Sequence, residues 1–529
     1  MKLLKAMATV AGLTGLSRLF GFIRDVLTAS ILGAGPIADA FFVALKLPNF
    51  FRRVTAEGAF SVAFVPLYSE SIEKEGREEA DAFASNAFMV MMLILSAVTL
   101  LALAFMPAII SVIAPGFVNE VPDIICVTHP CPGDRFFFAV EFSRITFPYL
   151  LLMSLTALLG GVLNAIDRFA PFAFAPVLFN LCLIAALLLA GEFKTTGHAL
   201  SYGVLFAGVL QLVWLIVAAR RAKIHLRLKR PKFKDEKIKK VFKLMGPGVI
   251  GAGVMHINLL ADMIIASFLG AGSISYLYYA DRLNQLPLGV VGIAVGTALL
   301  PMLSKAMAKG DEGESRNLFN RALEMCLLLA LPAAVALAVI PLPLISTLFE
   351  RGVFSAEDSA VTAQVLMAYA LGLPAYISIK VFSTAHWARQ DTVTPVKISV
   401  VATVLNIALS LVFIQFMGVA GIALATGLTG WLQFVLHIRA LKGYKAVQFD
   451  ERFKAVWPRI VLASAIMGVG LYLNGYITGG FGGADGWRKI FELAVLIVGG
   501  MAVYGLSIVA LGVLKPSEVK AYLGKGKIS

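Results

Sequence analysis

Apolar runs of roughly 20 residues recur along the whole of this sequence, and they leave the chain few ways to fold. Each is long enough to cross a ~30 Å hydrocarbon core as an α-helix, which satisfies its own backbone N–H and C=O groups where water is absent. A β-barrel would show short alternating segments, whereas these runs are continuous. Composition agrees: 59% of the 529 residues are hydrophobic and only 15% are charged, unlike a soluble domain of this size. The sequence therefore specifies an all-α integral membrane protein with about fourteen transmembrane helices. Lys2 and Lys5 imitate the start of a signal peptide, but Arg18, Arg24 and Asp25 break its apolar centre, so an uncleaved first span is expected.

Charges inside these runs say more than the hydrophobicity. Arg18, Arg24 and Asp25 interrupt the first run, about 8–34, and Asp39, Lys46, Arg52, Arg53 and Glu57 interrupt the second, about 37–68. A charge at mid-bilayer depth costs from ~2.5 to over ~10 kcal/mol depending on the reference, so it normally faces a bundle interior or a water-filled cavity. On a helix Arg18 and Asp25 share a face, while Asp39, Lys46 and Arg53 form a heptad line with Glu57 one turn further on. Pro48 removes a backbone hydrogen bond within that line and is expected to kink it. Later spans add Asp262, Asp281 and Arg282, bringing the set to six cations and five anions. Two readings stand: intramembrane ion pairs, or arginines kept for an anionic cargo. Arginine suits the second, because its planar fork binds phosphate bidentately.

Loop charge sets the expected topology. Loops after even-numbered spans are basic, above all Arg220 to Lys243, with twelve Lys/Arg against Asp235 and Glu236. By the positive-inside rule both termini are cytoplasmic, and the net charge of +14 is mostly topological. The acidic stretch from Glu70 to Asp81 runs the other way, but acidic residues weigh little in that rule. The dense basic loop reads as a solvated linker, with anionic lipid as a further partner and no nucleic acid expected.

The sequence also repeats itself. Leu32-Gly-Ala-Gly35 closes the first span and Leu269-Gly-Ala-Gly272 the seventh. Each precedes a helix with an internal Leu-Pro, Leu47-Pro48 or Leu286-Pro287, and a similar closing phrase, Phe64-Val-Pro-Leu-Tyr68 or Leu300-Pro-Met-Leu303. Two blocks of six spans starting from the same side make a parallel repeat, which transporters place around a central site. The expected organisation is an N-terminal six-helix lobe (1–222), a basic cytoplasmic linker (223–240), a second six-helix lobe (241–445), and two additional helices with a basic cytoplasmic tail (446–529). Single helices are expected over the third span, about 83–113, and the ninth, about 317–348.

Of the four cysteines, Cys182 and Cys326 lie in apolar spans as packing residues, while Cys126 and Cys131 bracket a polar Val-Thr-His-Pro and are a candidate disulfide. A metal site there would need more than His129, and none is expected. No catalytic constellation is present: the six histidines are scattered and no Asp-rich pair occurs, so the chain is not expected to be an enzyme.

Phe41-Phe-Val-Ala-Leu-Lys-Leu-Pro-Asn-Phe-Phe-Arg-Arg53, Ala56-Glu-Gly-Ala-Phe-Ser61 and Ala63-Phe-Val-Pro66 closely resemble the MurJ (MviN) lipid II flippases. So do Ser17-Arg18, Gly21-Phe22 with Arg24-Asp25, Ala114-Pro-Gly-Phe117, Thr146-Phe-Pro148, Ala173-Phe-Ala-Pro176, Tyr278 to Arg282, and Arg389-Gln-Asp391 with Thr394-Pro-Val-Lys397. The resemblance implies the multidrug/oligosaccharidyl-lipid/polysaccharide exporter superfamily, with two six-helix lobes around a central cavity. It adds two helices, here near 456–476 and 487–513, with a groove for a lipid tail. The implied cargo is lipid II, undecaprenyl-pyrophosphate disaccharide-pentapeptide, moved from the cytoplasmic to the outer face of the inner membrane for peptidoglycan synthesis. Cell-wall synthases are the implied protein partners.

Matched onto this chain, Arg18, Arg24, Arg52 and Arg282 are the expected substrate ligands, with Asp25, Asp39, Arg53, Glu57 and Asp281 as supporting or gating residues. Asp262, Asn406, Ser410 and Thr426 supply oxygen ligands of a kind that suits Na+, a candidate coupling ion, with an intramembrane hydrogen-bond cluster as the alternative. Ser410 stands where some members carry a second acid. No other cofactor is expected. A flippase for another polyprenyl-pyrophosphate-linked oligosaccharide shares this physics and is separated only by the motifs. A multidrug antiporter fits less well, since it predicts a twelve-span core with an acidic cavity.

Overall fold

The computed structural model describes residues 2–52, 60–118, 135–224, 226, 230–477 and 486–514. Among the described residues every regular element is helical and no strand occurs. The chain divides into two compact units, Met1–Ser275 with Arg351–Ser355, and Tyr276–Glu350 with Ala356–Ser529.

The first unit contains α1 (Lys2–Leu32), α2 (Pro36–Arg52), α3 (Ser61–Glu75), α4 (Arg77–Ala104) and α5 (Met106–Ile113). It continues through α6 (Arg135–Thr146), α7 (Tyr149–Ala165), α8 (Ala170–Leu188), α9 (Thr196–Arg221) and α10 (Glu236–Ser267). Local chemistry sets the boundaries. Gly33, at φ 71, ends α1, and Pro36 opens α2, where its missing N–H costs no helical bond. The Thr195 hydroxyl accepts from the His198 amide at 3.3 Å to cap α9, and the Asp235 carboxylate accepts from the Lys237 amide at 2.9 Å to cap α10. Within the unit α8 lies between α1 and α9, α2 packs on α6, and α3 on α4 and α7. Stacked rings of Phe60, Phe64 and Phe83 fill the contact between α3 and α4, and the Tyr68 hydroxyl donates to Asp81 at 3.0 Å beside them.

The second unit follows with α11 (Ser273–Ala308), α12 (Glu312–Val339), α13 (Pro341–Phe349), α14 (Ala356–Ala388), α15 (Val393–Met417) and α16 (Val419–Leu441). Two more helices, α17 (Glu451–Ile477) and α18 (Trp487–Ala510), close it. At its centre α14 packs against α12, α13 and α16. The approach to α16 is set by glycine: a Cβ on Gly372 would stand 2.5 Å from the Gly427 Cα. Close backbone approach of this kind is how membrane helices gain packing, since lipid offers no hydrophobic drive between them. Tyr376 and Trp431 then donate across the same contact, to Thr426 O at 2.9 Å and Leu371 O at 2.8 Å.

The last two helices are docked by α12. Val456, Ile460, Ala463 and Ile508 pack with Leu327, Leu328 and Leu331, and the Tyr504 hydroxyl donates to Leu328 O at 2.7 Å. Their connection is tied down as well: Asn320 and Arg316 donate to the carbonyls of Gln448 and Phe449, and Arg321 pairs with Asp450 at 2.6 Å.

Ten helical segments among the described residues are long and apolar enough to cross a membrane. Arg18, Arg24, Asp25, Asp39, Lys46, Arg52, Asp262, Asp281 and Arg282 lie on α1, α2, α10 and α11. The third and ninth spans, expected to be continuous, each break. α4 stops before Phe105 and α5 resumes with Pro107 in its first turn, while α12 stops before Ile340 and α13 begins at Pro341. In each case proline removes the N–H that would have continued the helix. The break falls at the same place in both halves of the repeat.

The Gly372–Gly427 contact leads to a direct test. Gly372→Ala should cost roughly 1–3 kcal/mol by overpacking, read as a lower thermal unfolding midpoint of the purified protein. Gly470→Ala, in open space within α17, serves as the control. An unchanged midpoint for Gly372→Ala would mean α14 and α16 do not meet there.

Candidate functional site

The charges in the hydrophobic helices fall into groups with different degrees of commitment. The most committed is Asp39, which is fully buried near the start of α2. One of its oxygens accepts from the Ser275 amide at 2.9 Å and the Ser275 hydroxyl at 2.7 Å. The other accepts from the Gly272 amide at 2.8 Å and the Arg135 guanidinium at 3.4 Å. Four donors converge on one carboxylate, two of them backbone amides at the start of α11, where a helix carries partial positive charge.

Arg135 is itself almost fully buried, donates to Leu269 O at 3.0 Å, and lies 4.4 Å from the Phe117 ring centroid. Gly116, beside it, lets the chain press against the end of α10: its amide donates to Ser267 Oγ at 3.0 Å, and a Cβ there would reach 2.1 Å from Ser267 O. The Ala-Pro-Gly-Phe and Leu-Gly-Ala-Gly motifs thus meet in one polar knot inside the first unit. Gly272 sits at φ 93 there, a backbone conformation glycine adopts without Cβ strain.

A second group lies on α1. Arg24, 8% exposed, pairs with its neighbour Asp25 at 2.6 Å and donates to Asn180 Oδ1 at 2.9 Å. Asn180, on α8, returns its amide to Ser17 O at 2.9 Å, and Gly21 leaves room for it. Arg18 is exposed and makes no hydrogen bond or ion pair among the described residues, so the face shared with Asp25 does not become a salt bridge. Arg52, partly exposed at the end of α2, donates to Asn49 Oδ1 at 3.2 Å.

In the second unit the partly exposed Arg282 lies 4.6 Å from the Tyr278 ring centroid, and Asp281 accepts from Gln285. Asn406 is buried and donates to the hydroxyls of Thr426 at 3.1 Å and Thr429 at 3.4 Å, which makes a hydrogen-bond cluster between α15 and α16. Ser410 lies one turn away, fully buried, with no partner for its hydroxyl among the described residues. Asp262 belongs to the first unit. Arg53, Glu57, Cys126 and Cys131 lie outside the described residues.

Sequence reasoning missed Arg135 and Asn180. Arg135 opens an ordinary apolar stretch and Asn180 sits within one, and their partners are distant in the chain. It also left the Arg389-Gln-Asp391 motif without a role. There Asp391 caps α15 through the Thr394 amide at 3.0 Å and meets His386 Nδ1 at 3.0 Å.

Comparison with known proteins points one way. A family model described as lipid II flippase MurJ matches residues 28–484. A probable lipid II flippase MurJ of Rhizobium meliloti (strain 1021) is 42% identical over 478 residues, which is 89% of this chain and 87% of that protein. A lipid II flippase MurJ of Burkholderia cenocepacia is 35% identical over 447 residues, 84% of each chain. A solved structure of lipid II flippase MurJ in an inward closed conformation gives a TM-score of 0.78 at 28% identity, covering 98% of this chain and 99% of that one. An inward-facing multidrug resistance MATE transporter of the MOP superfamily shares the fold, with a TM-score of 0.65 at 14% identity over 84% of this chain and 99% of its own.

The knot around Asp39 is open to a double-mutant cycle. Asp39→Ala or Arg135→Ala alone should cost about 3–5 kcal/mol, because each leaves a buried charge without its partner. Combining Asp39→Ala with Arg135→Ala should cost clearly less than the sum, as measured by thermal or denaturant unfolding. Additive losses would show that the two side chains are not coupled.

Proposed function

The chain belongs to the lipid II flippase MurJ family, and on that premise we propose how its residues move lipid II across the membrane. It is a multi-pass inner-membrane transporter, not an enzyme, and its cargo serves peptidoglycan synthesis. The physical problem is set by that cargo. A pyrophosphate and a polar sugar-peptide head cannot cross hydrocarbon unaided, while the prenyl chain can stay in lipid. The protein must therefore offer the head group charge-assisted hydrogen bonds along a hydrated route.

We assign that role to Arg18, Arg52 and Arg282, with Arg24 joining when it exchanges Asp25 for the cargo. The observation that carries the assignment is Arg18: a cation in the first span, exposed, with no protein partner among the described residues. An arginine kept for structure would be paired, as Arg135 is. Asp25 and Asn180 hold Arg24 until an anion competes for it. Asp39 acts at a distance from this exchange, since its acceptor positions are filled. Alternating access follows: head-group charge neutralises the arginines on the cytoplasmic side, and membrane potential contributes ~2.3 kcal/mol per charge per 100 mV to their return. Both termini and the 223–240 linker face the cytoplasm in this scheme.

The test is complementation in cells depleted of their own lipid II flippase, with membrane levels of each variant measured. Wild type should rescue growth, and Arg18→Ala, Arg24→Ala, Arg52→Ala and Arg282→Ala should fail while remaining in the membrane. Each lost charged hydrogen bond is worth about 1.5–3 kcal/mol, roughly 10- to 100-fold in transport. Rescue by all four well-expressed variants would make the arginines structural.

A further inference from the structure

Outside the charged spans, the first unit holds a cavity of about 660 Å³ between the start of α4 and the segment joining α9 to α10. That volume lies in the range of small-molecule sites. Among the described residues its walls carry five cations and four carboxylates, yet the two signs are not equally committed. Asp235 is occupied by the Lys237 amide and by Asn86 Nδ2, and Asp81 accepts from Tyr68. Among the cations, Arg77 donates to Ala222 O, and Lys237 is paired with Glu75 and Ser71.

The remaining three cations, Lys223, Arg230 and Lys232, are exposed, and their side chains make no hydrogen bond or ion pair among the described residues. Glu78 and Glu79 stand in the first turn of α4, where the helix dipole already stabilises negative charge. Two residues of that segment have defined backbone contacts. Asn86 exchanges hydrogen bonds with the Lys232 backbone at 2.8 and 3.1 Å, and Lys223 sits at φ 59, held by Ile224 N donating to Ala219 O at 3.0 Å. That positive φ is the helix-closing conformation, with Lys223 N also donating to Arg220 O at 3.0 Å, and it sets Lys223 on the cavity wall beside two other cations without a partner among the described residues.

The second unit supplies a comparison. A cavity of about 460 Å³ forms between the end of α11, the start of α12 and the loop after α16. There Arg389 and Lys445 are balanced by Asp311 and Glu312, and Arg389 lies over the Tyr444 ring. The same construction recurs without a surplus of cations.

We propose that the cavity walled by Lys223, Arg230 and Lys232 binds a phosphate-bearing anion. Its source is either the head group of an anionic phospholipid or a soluble phosphate compound. A lipid head group is within reach, because basic segments next to a span attract anionic lipid. The site is separate from the arginines assigned to lipid II and does not rest on that assignment.

The full-length protein in detergent is tested with two probes: phosphatidylglycerol, by native mass spectrometry against phosphatidylcholine, and inorganic pyrophosphate, by titration calorimetry. Combining Lys223→Ala, Arg230→Ala and Lys232→Ala should weaken binding at least about tenfold, from the loss of three charged contacts. Lys445→Ala should leave it unchanged, and an unaltered melting temperature verifies folding. Loss confined to phosphatidylglycerol identifies a lipid site, and loss confined to pyrophosphate a soluble ligand. Loss of both, with mutual competition, identifies a general phosphate site. Wild-type binding retained in the triple variant, or no binding of either probe by wild type, overturns the proposal.

Discussion

Hydrocarbon offers a polar group no partner, and nearly every feature of this protein answers to that fact. Backbone groups answer it by forming helices. Side chains answer it in one of two ways: they find partners in the protein, or they face water. Asp39 takes the first course completely, with four donors on one carboxylate. Arg135 follows it, shielded by Phe117 and bonded to a backbone carbonyl. Arg18 is exposed and has no partner among the described residues. Charges that looked equivalent along the helices therefore divide into those that build the first unit and those left exposed.

The two halves of the repeat show how far a common plan extends. In both, the third span is broken near its end by a proline-led short helix, and the chain after the sixth span covers the turn that opens the third. The Leu-Gly-Ala-Gly copies differ in use. Gly33 of the first takes positive φ at the first glycine, whereas the second copy takes it at Gly272, whose amide is given to Asp39. A shared sequence phrase has been put to two different local tasks.

Much of this was legible in advance because its causes are local. Run length and continuity specified helices. The breaks at Pro107 and Pro341 were missed because hydropathy alone carries a span straight through proline. Partnership was not legible at all. Asp39 and Arg135 are 96 residues apart, Asp39 and Ser275 are 236 apart, and Arg24 and Asn180 are 156 apart. No periodicity joins positions at such separations, so a charge that is a closed structural knot reads in sequence like one awaiting a ligand. The family motifs fall on these helices without telling such arrangements apart.

The central claim is that positive charge in these helices recognises the pyrophosphate of a lipid-linked head group. The most direct measurement is translocation in proteoliposomes of two substrates with the same saccharide-peptide head: lipid II, and an analogue joined to its prenyl chain through an uncharged link. Head-group exposure on the far leaflet would be followed over time. Lipid II should cross at a protein-dependent rate while the uncharged analogue stays near the protein-free rate. Equal protein-dependent rates for the two would contradict recognition through charge.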